Sequence, residues 1–286
     1  MLFLDLFVEG LVQGSIYALI AIGLTLVYGL LRILHVAHAG MFTLGGYLSV
    51  WATNASGSFV LSLLAAALAA GVAGILVYRL CYRPILHRPP HVALIASIGL
   101  YVGMEELFRL FFGPYGMSHT DPPLSETVGF FSMRLKYAEI AIMAGAVALI
   151  SALAVVVNKT RLGMAWRATV AEPQMALSCG INNDRIRDLI FFIGSALAAL
   201  AGAMVALVNN YAEPTMGAVP AYKALAIIVL AGLGDVGGTL LAALALGVIE
   251  SFGTIYLGKA LDRDAIAFAF MIVVLMLRPR GIFGKG

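Results

Sequence analysis

Charged residues are scarce in this sequence, and their scarcity excludes a water-soluble fold. Asp, Glu, Lys and Arg make up 12% of the 286 residues, whereas hydrophobic residues make up 62%. The charged share is about half that of a typical soluble domain, so there is too little polar surface to cover a core in water. No basic cluster with interleaved aromatic residues points to a nucleic-acid partner. The composition predicts an all-α polytopic membrane protein, folded as a single transmembrane domain over residues 1–286.

Cysteines and catalytic groups are also few. Cys81 and Cys179 are the two cysteines, and both lie in segments predicted below to face the cytoplasm, where thiols stay reduced. His35 and His38 share a helical face, but no third ligand follows at metal spacing. The stretch 232–238, GLGDVGG, lacks the GK[ST] ending and the preceding strand of a phosphate-binding loop. We therefore expect a non-catalytic chain with free thiols, no metal site and no ATP site of its own.

Long apolar runs, by contrast, are abundant. Five of them have the length of about 20 residues that spans a bilayer, and they cover residues 11–31, 59–78, 92–112, 137–157 and 186–208. Residues 39–51 form a shorter run with three glycines, for which a broken or re-entrant helix fits as well as a full span. Residues 222–256 are expected to form two short helices joined at 232–238, before a last span that ends at Leu277. The total is about eight or nine membrane segments, some of them short or broken.

Glycines mark two further features of these spans. One glycine-interrupted region lies in each half of the chain, a spacing compatible with an inverted repeat. Near the amino terminus, Gly10 and Gly14 form a pair of small residues four apart, which lets another helix approach closely.

Basic residues in the loops set the expected orientation. The segment 79–91 carries three arginines, and the carboxyl terminus carries Arg278, Arg280 and Lys285. Both segments are therefore predicted to be cytoplasmic, since loops on that side are enriched in Lys and Arg. Residues 113–136, residues 209–220 and the acidic amino terminus are then external.

Few ionisable side chains lie inside the predicted spans. Glu105 and Arg109 are one helical turn apart and are expected to neutralise each other, which leaves Glu106 unpaired. Asp235 is expected to cap the helix that follows the glycines. A self-contained secondary transporter would need ion-coupling carboxylates within the spans, and the sequence offers few.

A polar segment, residues 159–188, interrupts the apolar runs and carries helix signals of its own. Pro173 suits the first position of a helix, and Gly180 can supply the left-handed residue that closes one. We expect two short helices that meet near Glu172 and Pro173. An ordered polar segment between two spans suggests a docking surface for another protein, and the alternative is an ordinary basic cytoplasmic loop.

Four stretches, taken together, resemble one known family. They are GLVQGSIYALIAIGLTLVYGLLRILHVAH at 10–38, AHAGMFTLGGY at 37–47, TRLGMAWRA with AEPQMALSCGIN at 160–182, and PTMGAVPAYKALAIIVLAGLGDVGG at 214–238. In this order and over nearly the whole chain they resemble the permeases of branched-chain amino acid ABC importers, specifically the LivH-type subunit. The chain departs from the family pattern at His35, where Asn is usual, at Ala39, where Gly is usual, and at Gly40, where a polar residue is frequent. Because these departures lie in the presumed pathway, they bear on the cargo more than on the fold.

The resemblance implies a permease subunit of an ATP-driven importer for branched-chain or related amino acids, in the bacterial inner membrane. The implied partners are a second permease (LivM-type or an identical copy), two cytoplasmic ATPases that bind ATP and Mg, and a periplasmic substrate-binding protein. A permease of this family for urea, an amide or a carboxylate is the alternative, and a self-contained secondary transporter is a more distant one.

The resemblance and the polar pattern together assign candidate residues to two roles. Residues expected to couple the chain to the ATPases are Arg161, Gly163, Trp166, Arg167, Ala168, Glu172, Pro173, Ala176 and Gly180. Candidates for the translocation pathway are His35, His38, Gly45, Gly46, Tyr47, Asn209, Gly232, Gly234 and Gly238.

Overall fold

The structure is a computed structural model that describes residues 2–130, 133–232, 234–258, 262–278 and 281. Helices dominate the described chain, and six of them are long and apolar enough to cross a bilayer. The helices are α1 (Leu2–Leu31), α2 (His38–Ser56), α3 (Phe59–Val77), α4 (Pro90–Phe112), α5 (Tyr137–Lys159), α6 (Arg161–Ala171), α7 (Pro173–Ser178), α8 (Asn183–Asn209), α9 (Ala218–Ala231), α10 (Val236–Leu257) and α11 (Arg263–Leu277). A π-helical turn, Tyr78–Tyr82, and a 3-10 turn, Arg83–Ile85, follow α3.

Helices α1 and α8 form the centre of the bundle. Helix α1 packs along α10 and α8, and α8 in turn packs along α2 and α3. Helices α4 and α5 are peripheral, and few of their side chains are buried. Because apolar side chains on the outside of such a bundle can face lipid, their exposure agrees with the predicted membrane protein.

Glycines let the central helices approach closely, as predicted for the first of them. A Cβ atom at Gly10 would lie 2.6 Å from Val248 Cα on α10, so Gly10 is part of a tight helix contact. A second contact of this kind joins α2 to α8, where a Cβ at Gly202 would lie 1.9 Å from the carbonyl oxygen of Phe42. Small residues at such positions are typical of helix packing within membranes.

Replacing Gly202 with alanine should therefore destabilise the bundle. The added methyl group has no room against the α2 backbone, and overpacking of this kind costs about 1–3 kcal/mol. The expected result is a lower midpoint of thermal unfolding in detergent. Gly103→Ala on α4 is the matched control, because nothing lies within 4 Å of its Cβ position. Equal midpoints for the two variants would show that the α2–α8 contact is not tight.

Of the two alternatives left open for residues 39–51, a broken helix and a continuous one, the structure has the continuous helix, because α2 runs without a break over His38–Ser56. The irregular backbone lies in front of it, at residues 32–37. This segment carries the chain back from the end of α1, so that α2 begins well inside the length of α1: His38 Nε2 lies 3.1 Å from the Ile20 carbonyl oxygen. The Ser97 hydroxyl accepts the Ala37 N–H at 3.0 Å. Irregular backbone at this depth is tolerated because other helices cover it and bond to it.

The second glycine-rich region behaves as predicted. Helix α9 ends at Ala231 and α10 begins at Val236, with Gly232 and Gly234 at φ values of 99° and 94°, which favour glycine. The Asp235 carboxylate accepts the Gly237 N–H at 3.1 Å and so caps α10.

Four short strands depart from the all-α prediction. Strand β1 (Met117–Ser118) pairs with β4 (Tyr211–Ala212), and β2 (Thr127–Phe130) pairs with β3 (Met133–Lys136). The pairing of β1 with β4 joins segments distant in sequence, so no local pattern announces it. Arg280 and Lys285, on which the sidedness of the carboxyl terminus was predicted, lie outside the described residues.

Candidate functional site

The polar segment folds as two short helices, α6 and α7, as predicted. Thr160 caps α6: its hydroxyl accepts the Gly163 N–H at 3.3 Å. Pro173 occupies the first turn of α7. Gly180, at φ 82°, closes α7, with the Gly180 N–H donated to Leu177 and the Ile181 N–H donated to Ala176. This pair of bonds is the Schellman motif, which satisfies carbonyl groups at a helix end.

Helix α6 is pressed against the end of α5. A Cβ at Gly163 would lie 2.1 Å from the Val157 carbonyl oxygen, so only glycine permits this approach. The guanidinium group of Arg167 donates to that same carbonyl. The Trp166 ring is buried between α6 and the spans and contributes to the main apolar core. Because of these contacts, a displacement of α6 would also displace the end of α5.

Helix α7 is tied to the start of α8 by a single side chain. The Asn183 amide donates to the Pro173 carbonyl oxygen at 2.8 Å, and its Oδ1 accepts the Thr169 hydroxyl at 3.2 Å. Asn183 is buried, so these bonds lie away from water, where they are stronger. Residues 183–188, which the sequence assigned to the polar segment, belong to α8 and not to a loop.

The acidic residues at the start of α8 form ion pairs with arginines of the segment 79–91. Arg79 donates to Asp188 at 2.7 Å, and Arg83 donates to Asp184 at 2.9 Å. Residues 79–91, predicted to be cytoplasmic, and the polar segment 159–188 are therefore neighbours, and we call this end of the bundle the basic end. Strand β4 follows the far end of α8, so it lies at the opposite end. Exposed ion pairs of this kind contribute little stability, but they fix which ends lie together.

The outer surface of α6 and α7 is an apolar groove of about 580 Å³. Met164 and Met175 line it and are 61% and 68% exposed. Of the coupling candidates, Arg161, Ala168, Glu172 and Ala176 also line it. Gly163 and Trp166 instead face the spans, where they position the groove. Flexible methionines on an exposed apolar surface are typical of sites that bind other proteins.

The two predicted histidines lie within the packed interior of the chain, and each is 1% exposed. His35 Nδ1 lies 2.7 Å from the Tyr82 hydroxyl, and the two histidine rings are 5.7 Å apart. Gly45 and Gly46 abut α8 and Met216, and Tyr47 stacks on Phe112.

The remaining pathway candidates are separated from the histidines. Asn209 is exposed at the end of α8, whereas Gly232 and Gly234 lie in the break before α10 and Gly238 lies in its first turn. The structure therefore does not gather the candidates in one place, and their role in a pathway stays a prediction.

The expectation that Glu106 is unpaired is wrong. Arg109 bonds to Glu105 at 2.6 Å and also to Glu106 at 2.9 Å. One guanidinium group presents several N–H donors in a fork and can serve two carboxylates.

The structure contains a buried ionic network that the sequence did not predict. Lys223 lies 2.9 Å from both Glu250 and Asp264, and Arg263 lies 3.1 Å from Glu250. The Tyr17 hydroxyl donates to Glu250 at 2.7 Å. The network joins α1, α9, α10 and α11, and its centre is buried, since the side chains of Lys223 and Glu250 are 3% and 0% exposed. In the sequence, the network is indicated only by Lys223 and Glu250, each an isolated ionisable residue within an apolar run.

These features define a multi-pass helical membrane protein with an ordered, partly apolar segment, α6 and α7, at one end. The chain belongs to the family described as branched-chain amino acid transport system / permease component, whose model matches residues 6–277. The predicted family resemblance is therefore confirmed, and the chain is a transport permease subunit.

Individual relatives agree over nearly the whole length. The chain is 31% identical over 304 residues to the high-affinity branched-chain amino acid transport system permease protein LivH of Escherichia coli K12, covering 99% of this chain and 96% of that one. It is 32% identical over 298 residues to BraD of Pseudomonas aeruginosa, a permease protein of a system of the same description, with the same coverage. Among solved structures, PsaBC from Streptococcus pneumoniae in complex with Fab matches with a TM-score of 0.51 and 11% identity, over 95% of this chain and 91% of that one. That likeness supports the fold.

Proposed function

We propose that this chain is one permease of an ATP-driven importer of branched-chain or related amino acids in the bacterial inner membrane. The observation that carries the proposal is the docking segment, in which α6 and α7 expose an apolar groove yet are fastened to α5 and α8. The curated relatives named above, permeases of branched-chain amino acid systems, support the cargo. The basic end would face the cytoplasm, in keeping with its arginines.

The proposed partners would supply ATP hydrolysis and would bind the surfaces that the chain exposes. Two cytoplasmic ATPases would bind ATP and Mg²⁺ and receive α6 and α7 in their own surface grooves. A second permease would complete the pathway, and a periplasmic binding protein would dock at the opposite end, near β1 and β4. The chain itself would serve as a non-catalytic subunit without a cofactor.

The contacts indicate how ATPase movement would reach the membrane. A shift of α6 acts directly on the Val157 carbonyl at the end of α5, through Gly163 and Arg167. A shift of α7 acts on α8 through Asn183. ATP can drive the change only if it binds more tightly to one of the two arrangements of this segment.

Purification of the chain, tagged at its carboxyl terminus, from its native membrane in a mild detergent tests this function. We expect two ATPases and a second permease to co-purify, and the reconstituted complex to take up labelled leucine only with ATP and the binding protein. Uptake by the chain without ATPases would contradict the proposal and indicate a self-contained transporter. Competition with unlabelled amino acids, urea, amides and carboxylates would identify the cargo.

A further inference from the structure

A cavity of about 760 Å³ opens at the basic end, on the membrane side of α6. Its walls come from the end of α1, the end of α5, one face of α6 and the start of α10. It is separate from the apolar groove on the outer surface of α6 and α7, whose lining includes neither Arg167 nor Trp166. The proposed docking of ATPases therefore does not account for it.

Hydrogen-bond donors converge on this cavity. Arg32, Arg167 and Trp166 line it, and Trp166 is 8% exposed. The Trp166 indole N–H has no hydrogen-bond partner among the described residues. A buried donor left in this way is costly, and an acceptor within the cavity would satisfy it.

The start of α10 adds to the positive potential. Gly234 and Gly237 line the cavity, so the amino-terminal end of this 22-residue helix borders it, and such an end favours anions. Asp235 also lines the cavity, but its carboxylate is engaged in capping α10 through the Gly237 N–H. The balance of groups indicates an anion.

The opposite wall of the cavity is apolar and continues onto the outer surface of α5. Ile150, Ala154 and Val157 of α5 line the cavity. On the same helix Val147 and Val155 are 64% and 56% exposed, so α5 presents an apolar surface to the bilayer beside the cavity. A ligand that matches both walls has an anionic head and an apolar tail. Basic pockets between membrane helices are known to take the headgroups of anionic lipids.

We propose that this cavity binds the phosphate of an anionic phospholipid, with the acyl chains lying along α5. Arg32, Arg167 and the Trp166 indole N–H hold the phosphate. Because Trp166 and Arg167 belong to α6, the bound lipid contacts the helix that links the docking segment to α5. The site does not depend on the cargo or on the ATPases, and it can be tested by lipid binding alone.

The sequence supplies a reporter for the test. The chain has two tryptophans, Trp51 and Trp166, and Trp51 is 56% exposed on α2. A Trp51→Phe variant of the full chain leaves Trp166 as the single fluorophore. We would reconstitute it in phosphatidylcholine nanodiscs that contain either brominated phosphatidylglycerol or brominated phosphatidylcholine at equal mole fraction. Bromine quenches tryptophan at short range, so we expect stronger quenching by the anionic lipid.

The basic side chains are tested by Arg32→Gln and Arg167→Gln together, in the same background. We expect the preference for phosphatidylglycerol to fall by about 30-fold, because each basic side chain contributes about 1 kcal/mol to attraction of an anionic lipid. Arg185→Gln is the matched control, since Arg185 is exposed at the same end and does not line the cavity. Circular dichroism of each variant checks that the helices remain.

Three results would overturn the proposal. One is equal quenching by the two brominated lipids in the Trp51→Phe chain. Another is an unchanged preference in the double variant, or an equal loss in the Arg185→Gln control. The third is relief of the quenching by free glycerol phosphate, which would assign the cavity to a soluble phosphate instead of a lipid.

Discussion

Uptake by the reconstituted complex should fall by about 5- to 150-fold when Gly163 is replaced with alanine, since overpacking costs about 1–3 kcal/mol and each 1.4 kcal/mol is a factor of ten. The added Cβ would lie 2.1 Å from the Val157 carbonyl oxygen and 2.5 Å from that of Val156. Helix α6 must then move away from α5, and the contact proposed to transmit ATPase movement is lost. Hydrolysis of ATP should continue, because the ATPases carry that reaction. The measurement is the ratio of labelled leucine taken up to ATP hydrolysed.

The control for this experiment is Gly99→Ala, where a Cβ meets nothing within 4 Å. A pull-down of each variant separates loss of coupling from loss of assembly, since an uncoupled complex still retains its ATPases. Affinity for the binding protein should be largely intact, because that protein would dock at the opposite end. A normal ratio of uptake to hydrolysis in Gly163→Ala would remove α6 from the coupling role.

Replacing Glu250 with methionine should strongly destabilise the protein. It leaves Lys223 paired with Asp264 alone and leaves Arg263 without its carboxylate partner, in a region where Glu250 itself is 0% exposed. Breaking a buried ion pair by removing one partner costs about 3–5 kcal/mol. Equilibrium unfolding in mixed detergent, followed by circular dichroism, would measure the loss.

A double variant distinguishes an unpaired charge from a simple change of shape. Lys223→Met combined with Glu250→Met removes one charge of each sign and leaves Arg263 and Asp264, which are 34% and 36% exposed. We expect the double variant to be more stable than Glu250→Met, because replacing a buried pair by apolar residues is often neutral. If the double variant were the less stable of the two, cavity formation and not charge would explain the loss.

Features encoded locally could be predicted from the sequence. The polar segment predicted both of its helices correctly, because Pro173 and Gly180 act through their own backbone conformations. Asp235 predicted the start of α10 for the same reason, since a capping side chain bonds only to the backbone of residues next to it in the sequence. The apolar runs gave the long spans, although α1 begins at Leu2, earlier than the run at 11–31 suggested.

Contacts between distant segments could not be predicted in this way. The glycines of α2 were equally compatible with a helix break and with a continuous span, and the structure shows that Gly45 permits the close approach of α8, with Ala199 O 2.1 Å from its Cβ position. A glycine for close approach and a glycine for a break look alike in one sequence. Lys223 and Glu250 are likewise separate residues in the sequence, and only the packing of α9 on α10 makes them a pair.

The network around Lys223 also constrains how the protein is made. Helix α9 has 14 residues, so at 1.5 Å per residue it is about 21 Å long, short of a hydrocarbon core of about 30 Å. It carries a lysine whose two carboxylate partners, Glu250 and Asp264, are synthesised later, whereas the Tyr17 hydroxyl, which lies 3.0 Å from the Lys223 ammonium group, is synthesised earlier. We therefore expect α9 to reach its final position in the bilayer only together with α10 and the start of α11.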